Sequence, residues 1–480
     1  MVPLVSWWFP LTMAAEAPPP HSVAVSATGA RPSSRHPGQN GALTAEQRAL
    51  GRTAWRYFEN NARPTCLTDS VAGYPSTTLW DTASSLAGLV SAFELELVTA
   101  PDFDARLSCL LASLAILPLY HGELPNKAYH TETLAAVNYA NEPDEIGFSA
   151  IDLGRLLTWL AIAKTRYPLH AEEVDRVVLR WRFCNVMDDA GTLYGAQDGA
   201  DGGVVYLQEG RLGYEEYAAA GFQLWGFHAR AAAEHRPFLT SRVEGVVVAH
   251  DARDPARYGA HDAVVTEPYL LSAIELNWDL VTESPESDLW TSDRTTRRHA
   301  HHVYRAQARR WQRTGTLTAR TEHHVDQYPW FVYDAVWAHG EPWNTIAEDG
   351  RSWPTLSAVT VKAAVGLSVL FDTPYTTRLF AAVSPLADPD RGLLEGYYEA
   401  TGLPIEALTA NTNGIVLETL LYKVQGKLYR DPGTVWDALW DHTPNEEFPG
   451  NWQCLPRASK VVAPLPGRRG RVQQSVQSAP

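Results

Sequence analysis

Apolar residues recur at helical spacing along most of this chain. Ala45 to Asn61, Leu79 to Val98, Asp104 to Leu117, Ser149 to Tyr167, Ala171 to Met187, Gly213 to Glu234, Pro268 to Leu280 and Ser357 to Leu370 each read as a helix with one apolar stripe. Strand-like alternation is scarce. Thr192 to Leu207 reads as a short hairpin, and so does Val243 to Val265, with a polar turn at Asp251 to Asp254. The expected class is all-α.

Six times a polar or aromatic loop runs into a helix whose first turn holds small or polar residues. These junctions lie at Thr77 to Asp81, Gly147 to Asp152, Glu209 to Tyr214, Thr266 to Tyr269, Leu356 to Thr360 and Asn411 to Gly414. Their spacing leaves room for one inner helix, one outer helix and the connecting loops in each interval. The pattern predicts an (α/α)6 barrel, a toroid, with short hairpins in loops at the cavity end. First turns of the inner helices would line that cavity, where free amides and the helix dipole favour polar ligands.

The ends lack such periodicity. Residues 1–42 run from an apolar start into an Ala/Pro/Ser/Gly stretch and are expected to be a disordered lead, or an atypical signal with a linker. If the start is a signal, the chain belongs to the cell envelope or outside. Residues 43–455 form the expected toroid, and 456–480 a disordered basic tail.

Composition narrows the partners. Against 55 acidic residues stand 40 basic ones, a formal charge of -15 that repels nucleic acid and anionic lipid. The longest apolar run, Leu107 to Leu119, is about 13 residues where a spanning helix needs roughly 20, so no membrane span is expected. Cys66, Cys109, Cys184 and Cys454 lie far apart without zinc-type spacing, and the expectation is neither a disulfide scaffold nor a metal. No P-loop, dinucleotide, G-x-S-x-G or H-E-x-x-H pattern occurs, and no cofactor is expected. His299, His301, His302, His323 and His324 sit among charged residues and read as a solvated helix face.

The candidate chemistry clusters at the junctions. QEGRLGYEEYAAAGF crowds Glu209, Arg211, Tyr214, Glu215 and Glu216 into one helix start, where carboxylates satisfy the dipole as well as they serve catalysis. Trp80 and Asp81 open WDTAS, with Asp81 readable as an N-cap, and Asp152 and Arg155 share a face in SAIDLGRLL. Asn126, Lys127 and Tyr129 supply donors suited to hydroxyls, or an exposed turn. Glu395, Tyr397, Tyr398 and Glu399 lie between two glycines in GLLEGYYEATG. Trp330, Tyr333, Trp337, Trp343 and Trp353 add aromatic faces of the kind on which sugar rings stack.

The ordered set WDTAS, PNKAY, SAIDLGRLL and EGRLGYEEYAA, spanning roughly Ala45 to Tyr429, resembles a bacterial domain family of unassigned function. That family is similar to glycoamylase-like (α/α)6 enzymes, among them β-1,2-glucanases and the transglycosylase domain of cyclic β-1,2-glucan synthases. GYYEA looks like the GFYEA segment of glycoamylase-like domains, which carries over Tyr398 and Glu399 alone. The resemblance implies the barrel and a carbohydrate substrate. The resulting expectation is a glycoside hydrolase or transglycosylase acting on a glucan, β-1,2-linked by resemblance, through paired carboxylates. Glu209, Glu215 and Glu399 are the catalytic candidates. Trp80, Asp81, Asn126, Lys127, Tyr129, Asp152, Arg155, Arg211, Tyr214, Glu267, Tyr269, Trp330 and Tyr398 are the candidates for binding an oligosaccharide or polysaccharide. The alternative is a toroid that binds glycan without turnover.

Overall fold

The computed structural model describes residues 36–235, 237–255, 261–278, 292–430 and Cys454. The expected lead before residue 36, the basic tail and the end of the Pro268 to Leu280 helix beyond residue 278 lie outside the described residues.

Twelve helices run through the described residues: α1 (Ala45–Asn61), α2 (Leu79–Glu94), α3 (Ala100–Leu114), α4 (Ala150–Arg166), α5 (Ala171–Leu179), α6 (Tyr214–Leu224), α7 (Arg230–Ala233), α8 (Glu267–Leu276), α9 (Ser292–Thr314), α10 (Val361–Leu370), α11 (Pro374–Val383) and α12 (Ala410–Gln425). The even-numbered helices are apolar nearly all round, and they pack in sequence: α2 on α4, then α6, α8, α10, α12 and back to α2. The odd-numbered helices lie outside them, α1 against α12 and α2, α3 against α2 and α5, α5 against α4, α7 against α6, α9 against α8, and α11 against α10. The fold is a helical toroid.

Two contacts in the inner ring depend on glycine. A Cβ at Gly221 of α6 would run into the carbonyl of Gly154 on α4, and one at Gly414 of α12 would stand 2.5 Å from Ser84 O on α2. The bare backbones let these pairs approach closely. The core they enclose is continuous and includes fully buried Trp159, Trp181 and Trp225.

All six inner helices begin at the junctions read from the sequence, and the caps explain why. Thr78, Ser149 and Thr409 accept the N3 amides of α2, α4 and α12 at 3.1 Å each. Asp81 is therefore not the cap but the N3 residue that follows it. The α6 start is closed in the opposite sense, with Glu216 Oε2 accepting the Gly213 amide at 2.6 Å. Short strands feed these starts: Ser76–Thr78 leads into α2, Val204–Gln208 towards α6, Ala358–Thr360 into α10 and Pro404–Leu408 towards α12. This places the hairpins at the N-terminal end of the inner helices.

Four readings change. The second hairpin is Phe238–Val243 against Val246–Asp251, and it turns at Glu244 and Gly245, both at positive φ, rather than at Asp251. The first residues of the Ser357 to Leu370 stretch form the strand Ala358–Thr360. His323 and His324 lie on a strand, and His323 is buried, its imidazole held down at about 4 by that burial; His299, though on a helix, is buried too. The cysteines are paired, Cys66 with Cys109 (Cα separation 5.8 Å) and Cys184 with Cys454 (5.0 Å). Partners 43 and 270 residues apart leave no spacing signature.

The residues just after the undescribed lead are docked. Gln39 donates its amide to Val369 O at 2.7 Å, and Tyr422 OH donates to Pro37 O at 3.2 Å. No helix among the described residues is long and apolar enough to cross a membrane.

Candidate active site

The first turns of the inner helices are stitched together by one carboxylate. Glu267 Oε1, on α8, accepts from Trp80 Nε1 of α2 at 3.0 Å and from Asn411 Nδ2 of α12 at 2.9 Å. Lys362 Nζ, on α10, lies 2.5 Å from Oε2. Four helix starts thus converge on Glu267.

Further along the same helices lies a closed polar layer. The Arg155 guanidinium stacks 4.8 Å from the Trp80 ring, and its Nη2 donates to Ser84 Oγ at 3.3 Å and Glu418 Oε1 at 3.2 Å. Its Nη1 is 3.5 Å from Glu275 Oε1. Glu275 also accepts from Trp159 Nε1 at 2.8 Å and Tyr217 OH at 2.6 Å. Burial, and then the Glu275 charge, hold the Glu418 carboxyl well above the usual range, which disfavours its charged form.

On the other side of Glu267, side chains at the helix starts and strand ends that are partly open to solvent outline a bowl. Asp152, in the first turn of α4, has its carboxyl pushed up to about 7, first by burial and then by the charges of Glu209 and Asp81. Glu209 caps α4 from outside, its Oε2 accepting the Ala150 amide at 2.5 Å; burial raises its carboxyl, against that bond and Lys127. Opposite α4 in the ring stands α10, beside a wall built from two short strands. Glu322–His324 pairs antiparallel with Phe331–Asp334 in the register Glu322 to Tyr333 and His324 to Phe331, so these four side chains share one face. Burial pushes Glu322 up, while Lys362 draws it down and Glu395 raises it. Burial opposes the charge of Lys362, yet Glu267, Glu322 and Glu395 outweigh it and raise its ammonium above the usual value.

Each group feels its neighbours around the bowl. Asp152 registers Glu209 and Asp81; His324 registers Glu395 and Asp81; Tyr333 registers Glu322, Asp152 and Glu209. Asp152, Glu209, His324 and Tyr333 are partly open to solvent although surrounded by protein, as groups on a concave wall are. The arrangement offers a protonated carboxyl at neutral pH, further carboxylates on two walls, and aromatic faces between them.

The sequence candidates divide. Trp80, Asp81, Lys127, Asp152, Glu209 and Tyr214 belong to the bowl or its floor, with Tyr214 edge-on to Trp80 at 5.6 Å and Lys127 felt by both Asp152 and Glu209. Tyr269 is buried below Gly213. Arg155 lies beneath Trp80 with no exposed surface. Asn126 and Tyr129 are consumed by their own loop: Asn126 Nδ2 donates to the carbonyls of Ala128 and Val137, and Tyr129 OH to Pro118 O at 2.6 Å. Glu215 is held by Arg253 Nη2 at 2.7 Å and Gln208 Nε2 at 2.9 Å, next to Arg211. Glu399 is clamped by Arg310 at 2.8 and 3.0 Å and by Arg320 at 2.9 Å. Tyr398 OH donates to Asp326 at 2.6 Å, and Trp330 stands 60% exposed at the tip of the strand pair. Glu322, His324 and Lys362 were not among the candidates. The alternation Glu322-x-His324 and Phe331-x-Tyr333 around Tyr328-Pro329 was the available signal.

A family model described as protein of unknown function (DUF3131) matches residues 49–426, most of the chain and all six inner helix starts. The chain belongs to this family. No protein of curated function matches it. Among solved structures, the chain is similar to an endo-β-1,2-glucanase from Chitinophaga pinensis, solved with sophorotriose and glucose, at TM-score 0.59 and 12% identity over 86% of this chain and 98% of that one. It is similar to a candidate glucoamylase from Bacteroides caccae at TM-score 0.58 and 13% identity, over 86% and 98%. An endo-β-1,2-glucanase from Talaromyces funiculosus, in complex with β-1,2-glucan, follows at TM-score 0.51 and 12% identity, over 80% and 85%. At such identities the likeness is one of fold, the helical toroid described above.

Proposed function

We propose that this DUF3131 chain is a glycoside hydrolase or transglycosylase, that its toroid is a complete (α/α)6 barrel, and that a glucan reacts in the bowl. The observation that carries the reading is the placement of Asp152, partly open to solvent in the first turn of α4, where Glu209 accepts the Ala150 amide at 2.5 Å; burial and then the charges of Glu209 and Asp81 raise its carboxyl to about 7. Asp152 protonates the glycosidic oxygen as the bond to the anomeric carbon breaks. Glu322, on the strand wall, takes the proton of the water that adds to that carbon, or attacks the carbon itself; a sugar hydroxyl in place of water gives transfer. Glu209 is a positioning residue: its charge keeps the proton on Asp152, and its bond to Ala150 holds the α4 start. Glu215 and Glu399, both ion-paired with arginine, serve the fold around the bowl. The β-1,2 linkage is supported by the two glucanases that share the fold.

The test is a digestion of linear and cyclic β-1,2-glucan, with β-1,3- and β-1,4-glucans beside them, read by reducing ends and product chromatography. Shortened or rearranged β-1,2 products are expected. Glycan binding without any product would replace the enzyme by a glycan-binding scaffold.

A further inference from the structure

The loop that delivers the chain to Asp152 carries a tip with no role in the account above. Asn138 closes the tip, its Oδ1 accepting the amides of Ala140 and Glu142 at 3.0 Å each while its own amide donates to Glu142 O at 2.9 Å. Asn126 fastens the base, donating to Val137 O at 3.1 Å and accepting the Ile146 amide at 2.8 Å. A second turn reaches across: Tyr74 OH donates to the carbonyl of Tyr139 at 3.0 Å. The backbone at Tyr139 is therefore held from several sides, yet its ring is 60% exposed.

That exposure is not scattered. The aromatic side chains that stand out from the surface among the described residues, Tyr74, Tyr139, Tyr328 and Trp330, all lie in loops preceding α2, α4 and α10, the helices whose starts carry the polar groups above. Burial, and then the charges of Asp152, Glu348 and Glu209, hold the Tyr139 phenol above its usual range. The ring is thus open to solvent and close enough to Asp152 and Glu209 to feel their charges.

We infer that Tyr139 is a substrate-binding platform, on which the glycosyl unit next to the bond cleaved at Asp152 lays its C–H face. The inference rests on the glycan reading above and deepens it. A phenol ring offers a sugar an apolar face at little entropic cost because its loop is already fixed. The unit it takes is neutral, because the charges of Asp81 and Glu209 that Asp152 feels repel a uronate carboxylate from the same place.

The test uses the full chain with Asp152→Asn to stop turnover and sophorotriose as the probe, titrated calorimetrically. Adding Tyr139→Ala should weaken binding by about tenfold or more, while Tyr139→Phe, which keeps the ring, should stay within about twofold. With Asp152 intact, Tyr139→Ala should raise KM more than it lowers kcat. Tyr139→Ala binding like its parent, or Tyr139→Phe losing as much as Tyr139→Ala, overturns the platform alone. If the unaltered chain neither binds nor cleaves a neutral glucan, the glycan reading falls and this inference with it.

Discussion

The two polar regions of the toroid use the same residue types in opposite ways. In the layer around Arg155, Glu275 is met by a guanidinium, an indole and a phenol, and the same guanidinium donates to Glu418. In the bowl, burial first and then the charges of Glu209 and Asp81 raise the Asp152 carboxyl to about 7. The first arrangement holds helices together. The second holds a carboxyl near neutral pH at a cost in stability, which supports the proposal that the chemistry takes place there. Glu215 and Glu399, for all their promise in the sequence, fall with the first because arginines face them.

The contrast can be broken by substitution. Asp152→Asn, and separately Glu322→Gln, should lower turnover of β-1,2-glucan by about 10²- to 10⁴-fold or more with no loss of melting temperature. In the closed layer the effect should move to stability. Arg155→Met leaves Glu275 buried without its cation and should cost about 3–5 kcal/mol by denaturant titration, whereas Glu418→Gln should cost much less because burial and the Glu275 charge already disfavour the Glu418 carboxylate.

Smaller effects sharpen the division. Glu399→Gln should cost about 1–3 kcal/mol of stability, since it strips charge from a partly buried clamp, and should leave turnover within a few-fold of the parent. The proton on Asp152 sets the pH response: the donor form prevails below about 7 and is lost above it, so kcat/KM should fall on the alkaline side of that value. The same raised carboxyl makes the folded chain bind a proton that the unfolded chain has released. Asp152 therefore lowers stability progressively as pH rises from the ordinary carboxylate range through about 7. Asp152→Asn should melt later than the parent above that pH and alike in acid.

The frame was legible because its signals are local. Thr78, Ser149 and Thr409 announce helix starts by their own side-chain bonds, and the alternation Tyr194 to Gln208 announces its hairpin. The strand wall was not. Glu322–His324 is three residues long and follows an arginine-rich helix, so its alternation was absorbed into that helix's charge pattern. Nor could the sequence separate Asp152 from Glu399. Both are acids near aromatic residues, and the difference lies in Arg310 and Arg320, residues 89 and 79 positions away. The cysteine pairs escaped for the same reason, being made only when distant segments meet.

The most direct measurement is a side-by-side turnover assay of Asp152→Asn and Glu399→Gln on linear β-1,2-glucan, each checked for an intact fold. Asp152 should be indispensable and the arginine-paired Glu399 dispensable: product formation lost in the first and close to the parent's in the second. Retained turnover in Asp152→Asn together with loss in a folded Glu399→Gln would contradict this, and would place the chemistry at the arginine-clamped acid instead of in the bowl.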